Sequence, residues 1–283
     1  MSPVWYAAKA GVRRGCTELR QTFTTGQDVF GHVLWTVLLI VPLFLVGDEA
    51  LKGAGISAGA FMLPSMVGMT LAFTGIMTTA QLLATEREDG TLLRAKAVPH
   101  GMVGHLVGKI IMVSGTALVS MALALAAGLF LVEDVAQQGA GAWLTLAWAV
   151  PLGLLATLPI GAVIGSLVDS PRTIGLLMLP VMGLIVISGI YFPLSKLPDW
   201  LQIIGQTFPV YWLGLALRSA LLPTDAVTAE IGESWRHLET VGALSAWTIT
   251  GLLLAPPLLR RMARRESGSA MAERRRRAMQ RVG

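Results

Sequence analysis

The chain has 283 residues, 54% of them hydrophobic and 14% charged, with a formal net charge of +5 and a mean hydropathy of +0.65. A soluble domain carries about 25% charged residues, so this composition excludes an ordinary water-soluble fold and points to a chain built for lipid. A lone cysteine, Cys16, excludes an intrachain disulfide.

From the N-terminus, Val4, Ala8, Val12, Leu19 and Phe23 recur near helical spacing, with Lys9, Arg13 and Arg20 on other faces. The pattern predicts an amphipathic helix lying on the inner membrane surface. It lacks the apolar core and small-residue cleavage site of a signal peptide, so the first span reads as an uncleaved anchor. Six runs are long and apolar enough to cross a bilayer: 31–47, 57–84, 105–132, 142–167, 173–192 and 238–259. Between the last two, residues 193–223 hold two shorter apolar stretches, 199–205 and 209–222, bounded by Pro198, Pro209 and Pro223. These read as short outer helices that are interfacial or re-entrant, with Trp200, Tyr211 and Trp212 at the headgroup level. Irregular backbone at membrane depth must line protein or water, so an outer vestibule is expected there. Residues 260–283 form a basic tail suited to anionic lipid; no fold or aromatic platform accompanies the charge, so nucleic acid is not an expected partner.

Of the 22 Lys and Arg, 18 fall in the N-terminal arm, the 85–109 region, the loop at Arg172 and the tail; only Lys52, Lys196, Arg218 and Arg236 lie on the other side. The positive-inside rule therefore places both termini in the cytoplasm, consistent with six crossings. The 17 Arg against 5 Lys, with abundant Ala and Gly, suit a GC-rich bacterial genome and hence a bacterial plasma membrane.

Three function classes are weighed on the residues. An ion-driven secondary transporter usually carries ionisable groups near the midplane, and no Asp or Glu lies in the middle of any run; Lys109 sits near the cytoplasmic end of the third. A membrane-embedded hydrolase is suggested by Gly55-Ile56-Ser57-Ala58-Gly59, but that pattern needs a strand-to-helix elbow with Asp and His partners, and here it begins a span. A regulatory sensor remains a further alternative. His32, His100, His105 and His237 are scattered without metal-ligand spacing. The stretch ending at Lys109 fails as a phosphate loop, because Val103 stands where glycine is required and Ile110 where Ser or Thr is required. Any nucleotide-driven work must draw its energy from another chain.

The residues that bear on function are a charged island after the second run: Glu86, Arg87, Glu88 and Asp89, then Gly90, Thr91, Leu92 and, at the end, Pro99. Gly90 suits a left-handed helix stop, Thr91 can cap a new start, and Pro99 ends it, giving a short cytoplasmic helix within 85–98. The order Glu86-Arg87-Glu88-x-Gly90-Thr91-Leu92 followed by Pro99 resembles the coupling-helix signature of ABC transporter type-2 permeases. The N-terminal arm resembles that family's elbow helix, and residues 191–212 resemble its short outer helices before the last span. The resemblance implies an all-α integral membrane protein with six transmembrane helices, comprising one transmembrane domain over 1–259. It implies a permease subunit with no catalytic residues and no cofactor of its own, ATP and Mg being bound by the partner. The expected partners are two ATP-binding cassette subunits and a second permease copy, as a homodimer. Glu86, Arg87, Glu88, Gly90, Thr91 and Leu92 are implied to form or support the contact with the ATPase. Export by alternating access follows, and spans lined by Met, Leu, Phe, Val, Thr and Gly suit an amphipathic or hydrophobic substrate such as a drug, antibiotic or lipid.

Overall fold

In the computed structural model, described for residues 2–46, 49, 56–132, 139–168 and 171–265, every regular element is a helix. Helix α1 (Pro3–Thr22) leads through a tight turn into α2 (Gly26–Val46). A continuous helix over Ala58–Asp89 follows, made of α3 (Ala58–Phe73), a π-helical turn at Thr74–Thr78 and α4 (Thr79–Asp89). Next come α5 (Thr91–Lys96), α6 (Gly101–Leu129), α7 (Ala140–Leu167) and α8 (Pro171–Val186). The short α9 (Asp199–Thr207) and α10 (Pro209–Leu221) precede α11 (His237–Arg265).

Five helices among the described residues are long and apolar enough to cross a bilayer: Gly26–Leu45, Ala58–Asp89, Gly101–Leu129, Ala140–Leu167 and His237–Arg264. They coincide with five of the six apolar runs. The run at 173–192 is helical only over Pro171–Val186. At 1.5 Å per residue that is about 24 Å, short of the roughly 30 Å of hydrocarbon. Gly189, at φ +69, interrupts the helical backbone before the run is complete. The first span starts earlier than expected, at Gly26, and takes in Asp28. The last outruns its expected end at 259 and carries Pro256 and Pro257 inside it, so Arg260 to Arg265 are helical. The rest of the basic tail lies outside the described residues, as do Asp48, Lys52 and most of the loop between α6 and α7.

The interior is organised around α3, whose residues from Gly59 to Ala72 are all buried. A helix apolar on every side is stable only when surrounded, and α2, α6, α7 and α10 pack around it. The π turn continues this column against α7 at very close range. A Cβ on Gly75 would lie 2.3 Å from Thr157 Oγ1, and one on Gly161 would lie 2.4 Å from the Ile76 carbonyl oxygen.

Helix α10 enters the bundle between α3 and α7 rather than resting at its edge. Its Tyr211 and Trp212 are 0% and 6% exposed, which corrects their expected headgroup position; Trp200 on α9 remains exposed at 62%. A Tyr or Trp ring serves as core as well as in an interfacial belt, and here the Trp212 indole N–H donates to the Gln206 carbonyl at 2.6 Å. Arg218, counted on sequence as an outer cation, is fully buried. Its Nε donates to Glu230 at 2.5 Å, its Nη1 donates to Ser65 Oγ at 2.7 Å, and its guanidinium lies 4.9 Å from the Phe61 ring centroid. The bond to Ser65 joins α10 to the central helix α3.

Candidate functional site

The charged island is two helical pieces hinged at one glycine. Helix α4 carries Glu86 to Asp89 as its last turn, and Gly90 stops it at φ 77, ψ 15. Asp89 Oδ1 accepts the Thr91 N–H at 2.8 Å, filling one of the donors that a helix start leaves open. Thr91 is therefore not the cap it was expected to be: Gly90 holds that position, and the Thr91 hydroxyl accepts from Arg94 Nη2 at 2.8 Å instead. The chain leaves α5 through Ala97, Val98 and Pro99, all exposed, and turns into α6 at His100, φ 55.

The six residues singled out on sequence separate by direction. Glu86, Arg87, Gly90 and Leu92 are buried, Thr91 is half-buried, and Glu88 is exposed with Asp89 and Arg94. Leu92 packs with Leu83 of α4 and Met262 of α11. Arg87 Nη1 donates to the Val168 carbonyl at 2.6 Å, joining the segment to the end of α7. Lys96 Nζ donates to the Ala263 carbonyl at 3.1 Å, joining it again to α11.

Glu86 belongs to a chain of hydrogen bonds and ion pairs absent from the sequence reading. Its Oε2 lies 2.8 Å from His105 Nε2, and its Oε1 accepts from Lys109 Nζ at 2.8 Å. Lys109 also donates to Glu18 Oε2 at 2.7 Å, and Glu18 pairs with Arg14 at 2.7 Å. Burial pushes the Glu18 carboxyl up, but hydrogen bonds and charge from Lys109 and Arg14 outweigh it and hold it below the usual carboxylate range. The Glu86 side chain is only 6% exposed, so its two partners stand in for the water it has lost. The signal that could have found this network was Lys109 itself, the one charged residue in the run 105–132.

Helix α1 reaches this cluster because glycines let it lie against α6. Gly11 and Gly15 face Gly104 and Gly108, and a Cβ on Gly11 would stand 2.2 Å from the Gly104 carbonyl oxygen. Two small-x-x-x-small seams thus meet face to face. The apolar Val4, Trp5, Tyr6 and Val12 of α1 stay exposed.

Beside Glu86 and Lys109 lies a cavity of about 510 Å³ framed by α4, α6, α7 and α11. The cavity expected on sequence was an outer vestibule formed by residues 193–223; none of those residues lines this one. Ser57, the serine of the hydrolase-like pattern, accepts the Ala60 N–H at 3.2 Å and caps α3. Among the described residues no cluster of three or more His, Cys, Asp or Glu is placed to hold a metal ion.

In this arrangement the short segment around Gly90 is tied to α1, α6, α7 and α11. No curated protein matches the sequence closely enough to add a relative. The profile of the family described as ABC-2 family transporter protein matches residues 50–255, a stretch running from before α3 to within α11 and including Glu86 to Lys109. On that match over most of its length, the chain belongs to the ABC-2 family of transporter proteins.

Proposed function

We propose that this chain is the permease subunit of an ATP-binding cassette exporter, not itself catalytic, worked by separate ATP-binding subunits that dock on the 85–98 segment. The observation that carries this reading is the junction at Gly90. Glu88, Asp89 and Arg94 face outward where a partner can push, while Glu86, Arg87, Leu92 and Lys96 fasten the same segment to the membrane helices. A buried ion-paired tie resists separation of its partners more than exposed pairs do, so a displacement at α5 is passed into α6, α7 and α11.

In this reading the basic side is cytoplasmic, α8 with residues 187–192 makes the sixth crossing, and α1 is the interfacial elbow. Two ATPase subunits serve a homodimer of the permease in a bacterial plasma membrane. The cargo is amphipathic or hydrophobic, moved outward by alternating access. The test is mild-detergent purification from native membranes, comparing the natural chain with Val98→Glu on the exposed end of the segment. A stoichiometric ATP-binding subunit, lost in the variant, is expected. An intact chain that purifies without any ATP-binding protein overturns the proposal.

A further inference from the structure

The 510 Å³ cavity is in the size range, about 300–1,000 Å³, of ligand sites, and its shape is that of a groove. Between Met102 and Val113 of α6, and between Leu252 and Ala263 of α11, it follows both helices for about 16 Å at 1.5 Å per residue. That is close to half of the roughly 30 Å hydrocarbon thickness, the depth of one leaflet. Its rim is open sideways, where Ile110 is 54% and Leu252 is 53% exposed. Apart from Thr79, its polar groups are Glu86 and Lys109 along the walls and Arg260 near the end of the α11 stretch. Lys109 is committed to Glu18 and Glu86. Arg260 is exposed and makes no ion pair among the described residues, with Arg261 and Arg264 exposed next to it on α11.

We propose that this groove holds one acyl chain of an anionic phospholipid of the leaflet at the coupling end, with the phosphate on Arg260. The occupant is an acyl chain because the walls are apolar along the leaflet-deep length of the slot, from Leu106 and Val113 of α6 to Leu252 and Leu259 of α11, and the rim opens sideways. It is anionic because the unpaired charge at the open end is positive. It is a lipid rather than a free anion because the cation stands at the mouth of an apolar slot of leaflet depth. Since Glu86 lines that slot, an occupied groove packs against the tie between α4 and α6. The assignment to the cytoplasmic leaflet rests on the orientation proposed above, and labelling of Cys16 reads that orientation separately.

The test reconstitutes the full chain with its co-purifying subunits in nanodiscs of phosphatidylglycerol and phosphatidylcholine, with a photoactivatable acyl chain on one lipid or the other. Crosslinked peptides are mapped by mass spectrometry. The phosphatidylglycerol probe should label residues 102–113 and 252–260 on the order of fivefold more than the phosphatidylcholine probe, the fold-change of one cation near an anionic headgroup. Arg260→Gln, at an exposed position, should remove that preference and leave the labelled positions unchanged. Leu106→Trp, which fills the slot, should lower labelling by both probes. Equal labelling by the two lipids in the natural chain, or labelling spread over the outer faces of the helices, overturns the proposal.

Discussion

Glu86→Gln keeps the shape of the side chain and removes the charge that holds α4 to α6. In the natural chain Glu86 accepts from Lys109 at 2.8 Å and meets His105 at 2.8 Å, with its side chain 6% and that of Lys109 17% exposed. Breaking a buried pair costs about 3–5 kcal/mol. Lys109 retains Glu18 at 2.7 Å, which places Glu86→Gln at the low end, about 3 kcal/mol. The direct Glu86–Lys109 contribution is isolated by a cycle with Lys109→Met and the double variant, read as unfolding free energy in mixed micelles. A hydrogen bond between charged groups is worth about 1.5–3 kcal/mol, so the double variant should be that much less unstable than the sum of the singles. Glu86 and Lys109 do not face the docking side, so the ATP-binding subunit should still co-purify with each single variant while ATP-driven export falls. Additivity within about 0.5 kcal/mol, or full export by Glu86→Gln, would refute the argument that this network carries the motion.

Further outcomes follow from other parts of the structure. Gly90→Val meets a φ of 77 that a β-branched residue does not adopt without strain; the chain should still insert, with ATP-driven export lost. Gly11→Val sets a side chain against the Gly104 carbonyl, so α1 should separate from α6, read as loss of a disulfide engineered between the two helices; Gly26→Ala, with open space around it, should leave that disulfide intact. Arg218→Met leaves Glu230 buried and uncompensated and should destabilise by about 3–5 kcal/mol, whereas Arg218→Met with Glu230→Leu should recover most of it. Cys16 is exposed and the only thiol; a membrane-impermeant maleimide should label it in inside-out vesicles and spare it in intact cells, and the reverse pattern would overturn the orientation.

The apolar runs by themselves determined most of the spans, because a bilayer demands a minimum length of apolar helix and little else in the chain can supply it. Gly90 and Pro99 were legible for a similar reason: each imposes a local backbone geometry wherever it stands. What composition could not decide was which residues the fold brings together. Glu18, Glu86, His105 and Lys109 are spread over more than ninety residues, and a charge at a span end looks the same whether it faces headgroups or another side chain. Arg218 read as an outer cation until α10 was seen to enter the bundle, and Tyr211 and Trp212 read as interfacial because an amphipathic ring suits either place. The glycines of α1 carried no sign of their purpose in the sequence, since a close approach is a property of two surfaces. Local backbone rules and the thickness of the membrane act on a single stretch of chain, whereas the ion network, the α1–α6 seam and the groove exist only once separate helices are packed.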